Sequence, residues 1–549
     1  MKTNRRNFIQ KLGVSTAALS LGAPALASSS DASKAAEDKN DGPILQIGDN
    51  IAVANTTNGK VRGYILRGIN TFLGIPYGAD TSGENRFMPP QKPKPWTDTL
   101  PAIWWGNTAP QNMEKRYANA YYSFSDHWNY DDVSEDCLRI NVWTPAINDG
   151  KKRPVMVWLH GGGYNNGNGI EQDGYHGENF SRKGDVVFCS LNHRLGPLGY
   201  ANFGGVDKKF TASGNVGMLD IVAALEWVRD NITNFGGDPN NVTIMGQSGG
   251  GAKVCVLTAM PSAKGLFHKA VPLSGASLKA TEKDISEKLG AAVLKEAGLT
   301  SSEMNVLQKM PWKQYYELST RAMTKVREEL KMPVGFSPVV DGTFLTQHPF
   351  SPAGSPLSDD VPMIICTTFN ESAPSRTDAA LEVIDLAGVK EKLKERFGDK
   401  TGSIVDSYAK TFPDKKPIEI WSMVASNRQN AIALADAKSK QKAAVYLAWF
   451  GWQPPLFDNR MRAFHCIDIC FWFDNTDLMY THTGGGARPR KLSTKMADSL
   501  LKFMRTGNPN GGGLPNWTTY NSETGATMIL DDMPAVKNDP DREARKAFV

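Results

Sequence analysis

The chain of 549 residues carries almost no charge surplus: 62 Lys and Arg face 57 Asp and Glu, a formal net charge of +5. Four of the positive charges, Lys2, Arg5, Arg6 and Lys11, fall in residues 1–27, which contain no acid. Without that segment the net charge is 5 − 4 = +1. A near-neutral body argues against a protein that binds nucleic acid or an anionic membrane surface. The sequence also lacks an apolar run long and strong enough to span a bilayer comfortably, so no stable membrane anchor is expected. Among its six cysteines, at 137, 189, 255, 366, 466 and 470, no pair has the C-x-x-C spacing of a zinc site. There is no internal repeat, and no Pro/Gly-rich linker divides the body.

What is present begins with a leader. After the basic start comes a mild, alanine-rich apolar run ending in "APALA", where Ala25 and Ala27 suit cleavage after Ala27. "NRRNFIQK" resembles a twin-arginine export signal, with Asn4 where Ser or Thr is usual. The expected partner of residues 1–27 is therefore the twin-arginine export machinery, and the expected location is periplasmic or secreted. Residues 28–47 open as a polar linker. A protein exported this way folds in a reducing compartment, so its stability is expected not to depend on disulfides. Cys189, Cys255 and Cys366 lie in apolar runs and read as buried small hydrophobes.

From residue 48 to 549 the pattern is that of one α/β domain. "VMVWL" (155–159), "DVVFCSL" (185–191), "NVTIM" (241–245), "AVPL" (270–273), "PMIIC" (362–366) and "VYLAWF" (445–450) are short continuous apolar runs, the mark of strands buried on both faces. Between two of them, Met218, Ile221, Val222, Leu225, Val228 and Ile232 recur at helical spacing. Strand and helix in alternation predict a mostly parallel sheet covered by helices. Segments near 279–330 and 377–443 read as helical elaborations. "IDICFWF" (467–473) is open between a helix and a strand.

Two glycine-rich stretches follow predicted strands. In "IMGQSGGG" (244–251) one serine, Ser248, stands among four glycines, between a strand and the helical pattern "AKVCVLTAM". Gly-x-Ser-x-Gly between strand and helix is the nucleophile-elbow arrangement: the serine occupies a strained turn that flanking glycines make possible. "LHGGGY" (159–164) follows strand 155–159 and suits an oxyanion-binding loop, in which amides not screened by side chains face a developing negative charge. The amides of Gly162, Gly163 and Gly249 are the candidate donors. His160 precedes the nucleophile and reads as structural, because the acid and histidine follow the serine in this fold.

Four histidines lie beyond Ser248. His268 follows too soon for an intervening acid, His348 reads as loop, and His482 as a surface loop in "THTGGG". His465, where a loop meets an apolar run, is favoured as the base. Glu371, just past strand 362–366, is favoured as the acid, with Asp341 of "VVDGTFL" its rival. Trp104, Trp105, Tyr164 and Trp472 are candidate pocket aromatics, with packing as the equal alternative.

At this point the sequence resembles a family. "FGGDPNNVTIMGQSGG" (235–250) and "EDCLRINVW" (135–143) are similar to the two signatures of the type-B carboxylesterases, which include the cholinesterases. "NGKVRG", "FLGIPYG", "NHRLGPLGY" and "GNPNGGGLPNW" extend the likeness over nearly the whole mature chain. The resemblance implies an α/β-hydrolase fold, triad roles for Ser248, Glu371 and His465, and hydrolysis of a small-molecule ester without metal or organic cofactor. It also implies a structural ion pair between Glu135 and Arg194. Four departures stand out. Cys137 matches a disulfide cysteine of the family, but Ala109 stands about where its partner would be. Cys466 replaces a glycine after the histidine, and Asp468 replaces a frequent Glu. Gln247 stands where the cholinesterase-like pattern commonly has Glu, which implies a preference for neutral esters over choline esters. An amidase, thioesterase or lipase on the same scaffold, or a non-catalytic binding relative, stays open at this stage, because a fold does not fix chemistry.

Overall fold

The computed structural model describes residues 43–112, 124 and 132–548. The leader, residues 1–27, and the linker up to residue 42 lie outside the described residues. Residues Ile44–Val549 group as one compact unit.

Its centre is a 12-stranded sheet. The strands are β1 (Leu45–Gln46), β2 (Tyr64–Leu66), β3 (Ile69–Pro76), β4 (Arg139–Thr144), β5 (Arg153–Leu159) and β6 (Val187–Leu191). They continue as β7 (Gly237–Gln247), β8 (Lys269–Leu273), β9 (Met363–Thr368), β10 (Val445–Phe450), β11 (Ala526–Leu530) and β12 (Ala535–Asn538). In space β6 lies between β4 and β5, and the other strands follow chain order. The run from β6 through β5 and β7 to β11 is parallel, while both flanks are antiparallel. Each apolar run identified in the sequence lies in this parallel core, and β5, β6, β8, β9, β10 and β11 are buried along their full length. Burial on both faces is why these runs are continuous rather than alternating. β1 lies inside the stretch assigned to the linker: Leu45 and Gln46 pair with Leu66 and Ile65.

The helix Val216–Asn231 buries Met218, Ile221, Val222, Leu225 and Val228 of the predicted face; Ile232, also buried, falls in the 3-10 turn that follows, which ends at Gly236 with φ 74°. The segments read as helical elaborations contain Lys283–Glu296 and Trp312–Leu330, then Leu386–Phe397, Thr401–Thr411, Pro417–Val424 and Arg428–Lys438. Residues Ile469–Trp472 form one helical turn, so the open choice for "IDICFWF" falls to helix. Ile469, Cys470, Phe471 and Trp472 are all buried.

The ion pair expected between Glu135 and Arg194 does not form. Glu135 is held by Arg86, Nε to Oε1 at 2.7 Å and Nη2 to Oε2 at 2.5 Å. Arg194 turns instead to Asp220, with Nε and Nη2 at 2.8 and 2.6 Å from its two oxygens. Both guanidiniums are buried and each has a carboxylate to itself, so a bidentate fork is made twice rather than shared. All six cysteines are free thiols, and Ala109 is buried. Among the described residues no helix is long and apolar enough to cross a membrane.

Candidate active site

In a parallel sheet, ligands bind beyond the carboxyl ends of the strands. The sequence-predicted groups gather there. Ser248 follows β7 directly, the His160–Tyr164 loop follows β5, Glu371 lies three residues past β9, and His465 ends the connection that leaves β10.

Ser248 adopts φ 56° and ψ −122°, a conformation that an L side chain pays for and glycine does not. Its N–H donates to Leu273 O at 2.8 Å, and its carbonyl accepts from Ala252 N at 3.0 Å, so the elbow is fastened on both sides. The glycines around it are required by contact. A Cβ on Gly249 would lie 2.1 Å from Gly163 O, and one on Gly250 would lie 2.0 Å from Leu159 O. The oxyanion loop therefore rests on the first turn of the helix Gly249–Leu257. Gly162 and Gly163 take φ 81° and 62°, which turns the loop sharply above that helix end. The helix N-terminus adds its own partial positive charge to the same place.

Acid and base come together. Glu371 Oε2 lies 2.5 Å from His465 Nδ1. Its other oxygen accepts from Ser274 Oγ at 2.6 Å and from Thr368 N at 2.8 Å. Backbone pairing aligns the two loops one residue earlier: Asn370 bridges Phe464, and Asn370 N donates to Ala463 O at 3.1 Å. Burial works against the His465 imidazolium, but Cys466 and Glu371 beside it outweigh burial and hold its pKa well above the ordinary value. Asp341, the rival acid, spends Oδ1 on the amides of Thr343, Phe344 and Leu345, as a turn residue does.

His465 faces Gln247 rather than Ser248 Oγ in its described contacts. The Gln247 amide nitrogen is 3.2 and 3.1 Å from the two ring nitrogens. Near-equal distances set the amide over the ring rather than on one nitrogen. Gln247 Oε1 accepts from Cys466 Sγ at 3.3 Å. Cys466 itself has φ 77°, a left-handed conformation that accounts for the glycine the resemblance expects there.

Several residues of the site were not legible beforehand. Ser274, at φ 46°, braces Glu371 but sits in an unremarkable strand end, "PLSGAS". Asp468 is fully buried, with Oδ1 unpartnered and Oδ2 3.4 Å from Trp472 Nε1. Burial first, and then the charge of Glu371, raise its pKa to about 7. Behind the oxyanion loop, the rings of His160 and His193 stack at 4.9 Å and 16°. Burial pushes both well below the usual imidazole range. Lys253 lies beside them, also buried, with its pKa lowered by burial to about 7 against an opposing pull from Glu171.

Other expectations resolve into packing. His482 is buried against Phe464 rather than on a surface loop. Trp472 is wholly buried in the core. Trp104 is exposed and stacks on Trp105 at 4.5 Å. Trp105 lines a cavity of about 200 Å³ with Tyr64, Leu73, Trp143 and Ile170, and none of Ser248, Glu371 or His465 borders it. Among the described residues no group of three or more His, Cys, Asp or Glu is placed to hold a metal ion.

The model of the Carboxylesterase family matches residues 50–548. The chain is similar to a para-nitrobenzyl esterase of Bacillus subtilis (strain 168), 32% identical over 509 residues that cover 90% of this chain and 98% of that protein. It is similar to a phenmedipham hydrolase of Pseudarthrobacter oxydans, 30% identical over 87% of this chain and 95% of that one. Among solved structures it resembles an esterase from anaerobic Clostridium hathewayi that can hydrolyse aliphatic aromatic polyesters. The TM-score is 0.80 at 34% identity, over 91% of this chain and 98% of that one.

Proposed function

The chain belongs to the carboxylesterase family and is a carboxylic ester hydrolase of α/β-hydrolase fold; from that premise we propose that Ser248, Glu371 and His465 are its catalytic triad. The amides of Gly162, Gly163 and Gly249 form its oxyanion hole in this reading. The observation that carries it is the 2.5 Å contact of Glu371 with His465 Nδ1, in loops zipped together beside the strained serine.

His465 Nε2 takes the Ser248 proton as Oγ attacks the ester carbonyl. Glu371 fixes the ring and stabilises the imidazolium. The loop amides hold the tetrahedral oxyanion, each worth about 2.7–4 kcal/mol by analogy with other such donors. The alcohol leaves with the proton from His465, and water then releases the acid by the same steps. Ser248→Ala is expected to abolish labelling by a fluorophosphonate and to lower kcat on p-nitrophenyl acetate by about a thousandfold or more. Labelling that persists at another residue sinks the assignment.

The substrates are neutral esters. What supports this is Gln247, an uncharged, buried side chain packed on the base where a carboxylate would attract a cationic alcohol. kcat/KM is expected to be higher for 3,3-dimethylbutyl acetate than for its charged isostere acetylcholine, and the reverse order overturns the preference. The enzyme acts outside the cytoplasm. The support for this is the Arg5-Arg6 leader and the small residues before position 28.

A further inference from the structure

Lys253 is a buried titratable group that the proposed reaction leaves without a task. It lies on the helix that starts at the nucleophile, Gly249–Leu257, and its side chain is completely enclosed. An amine in such a place costs stability unless its N–H groups find acceptors. Its Nζ donates to the carbonyl of His160 at 3.0 Å. It also sits 5.9 Å from the ring centroid of Tyr164. His160 is the first residue of the oxyanion loop and Tyr164 the residue that closes it. The loop thus straddles one side chain, which reaches it from the helix carrying the serine. Two backbone contacts fasten the same pair of segments, Gly249 against Gly163 and Gly250 against Leu159. Both are close packing rather than hydrogen bonds, although a Cβ on Gly250 would also lie 2.9 Å from His160 O.

We propose that Lys253 is a positioning residue for the oxyanion hole, a post that pins the His160 carbonyl and so sets the direction in which the Gly162 and Gly163 amides point. The inference rests on the ester-hydrolase reading above and deepens it. Either protonation state of the amine keeps an N–H for the carbonyl, so the pin does not depend on the charge. The His160 ring holds the next carbonyl, Nδ1 meeting Gly161 O at 2.9 Å, and the His160 carbonyl is left to Lys253. The ring's position is fixed by stacking on His193.

A loop that is pinned for the oxyanion affects the transition state and not the bound ester. Lys253→Met, which keeps the volume and removes the donor, is expected to lower kcat on p-nitrophenyl acetate about tenfold at a KM within about twofold of the parent. The affinity for a trifluoromethyl ketone, whose adduct carries the oxyanion, is expected to weaken by the same factor. The affinity for a neutral competitive inhibitor such as benzyl alcohol is expected to stay unchanged. Rates are normalised to sites counted by fluorophosphonate titration. An unchanged kcat overturns the proposal, and so does a joint fall in affinity for both inhibitors, which marks a collapsed pocket. If Lys253→Met does not fold, Lys253→Ala with added ethylamine, which restores the donor, is read in the same way: recovery of kcat by the amine supports the pin, and no recovery overturns it. If the parent enzyme fails to react with the ketone, or Ser248→Ala stays active, it is the ester-hydrolase site that fails, not the pin.

Discussion

At Ser248 the backbone is held in a region that costs a non-glycine residue about 1–3 kcal/mol, and its hydroxyl is presented at the strand end in return. The flanking glycines made this residue visible from the sequence, because each is needed for a contact that any Cβ would break. The pairing of Glu371 with His465 was legible only in part: their order and placement past strands favoured them, and the "DG" of Asp341, which reads as a turn, was the one local signal that set Glu371 apart from it. Ser274 and Asp468 left no local signal, because bracing and burial by residues distant in the chain are tertiary facts. Asp468 leads to a pH prediction. Its folded pKa of about 7 lies above the usual carboxylate value. The folded state therefore binds more protons than the unfolded one between those two values, and this group's contribution to stability falls as pH rises through that window. Asp468→Asn, which cannot ionise, should melt at a higher temperature than the parent at pH 8, by a margin that shrinks as the pH is lowered through the window to pH 5. A gain of equal size at both pH values, by scanning calorimetry, counts against a buried carboxyl that titrates.

At the scale of elements, the parallel strands were readable because burial on both faces leaves one composition, continuous and apolar. The partners of buried charges were not. Glu135 and Arg194 lie close to the same strands, yet Arg86 takes the first and Asp220 the second. Arg86 also donates to the carbonyls of Leu307 and Met310, at 3.0 and 2.6 Å, and so ties the start of the domain to the helical insertion after β8. Removing one partner of a buried pair leaves the other charge without compensation, at a cost of about 3–5 kcal/mol. Arg86→Met is expected to lose about that much stability in chemical denaturation. Arg86→Met with Glu135→Leu should recover most of the loss, since no carboxylate is then stranded. A double variant as unstable as the single one would assign the loss to the two carbonyls instead. The helical turn Ile469–Trp472 and the buried His482 escaped the sequence for a related reason: a short segment enclosed on every side has no amphipathic period to read.

For the whole molecule, the proposed export carries a prediction: a twin-arginine substrate is moved folded, before any oxidation. The leader tests this. With Arg5→Lys and Arg6→Lys together, active enzyme is expected to accumulate inside the cell with its leader attached, and the exported fraction to fall to background. Export that continues at the parent level would assign the leader to a pathway that does not read paired arginines. The likeness over most of the chain could be recognised because its motifs sit where backbone meets backbone, and such places admit few residue types.

The bridge between Asn370 and Phe464 has a consequence for how such an enzyme diversifies. Because the candidate acid and base are indexed to each other by paired backbone, the partly exposed stretch 455–459 can change without resetting their separation, whereas Arg460 and Arg462 beyond it are tied to Ser375 and Glu382. That stretch can then evolve on a clock of its own while the pairing of Glu371 with His465 stays in register.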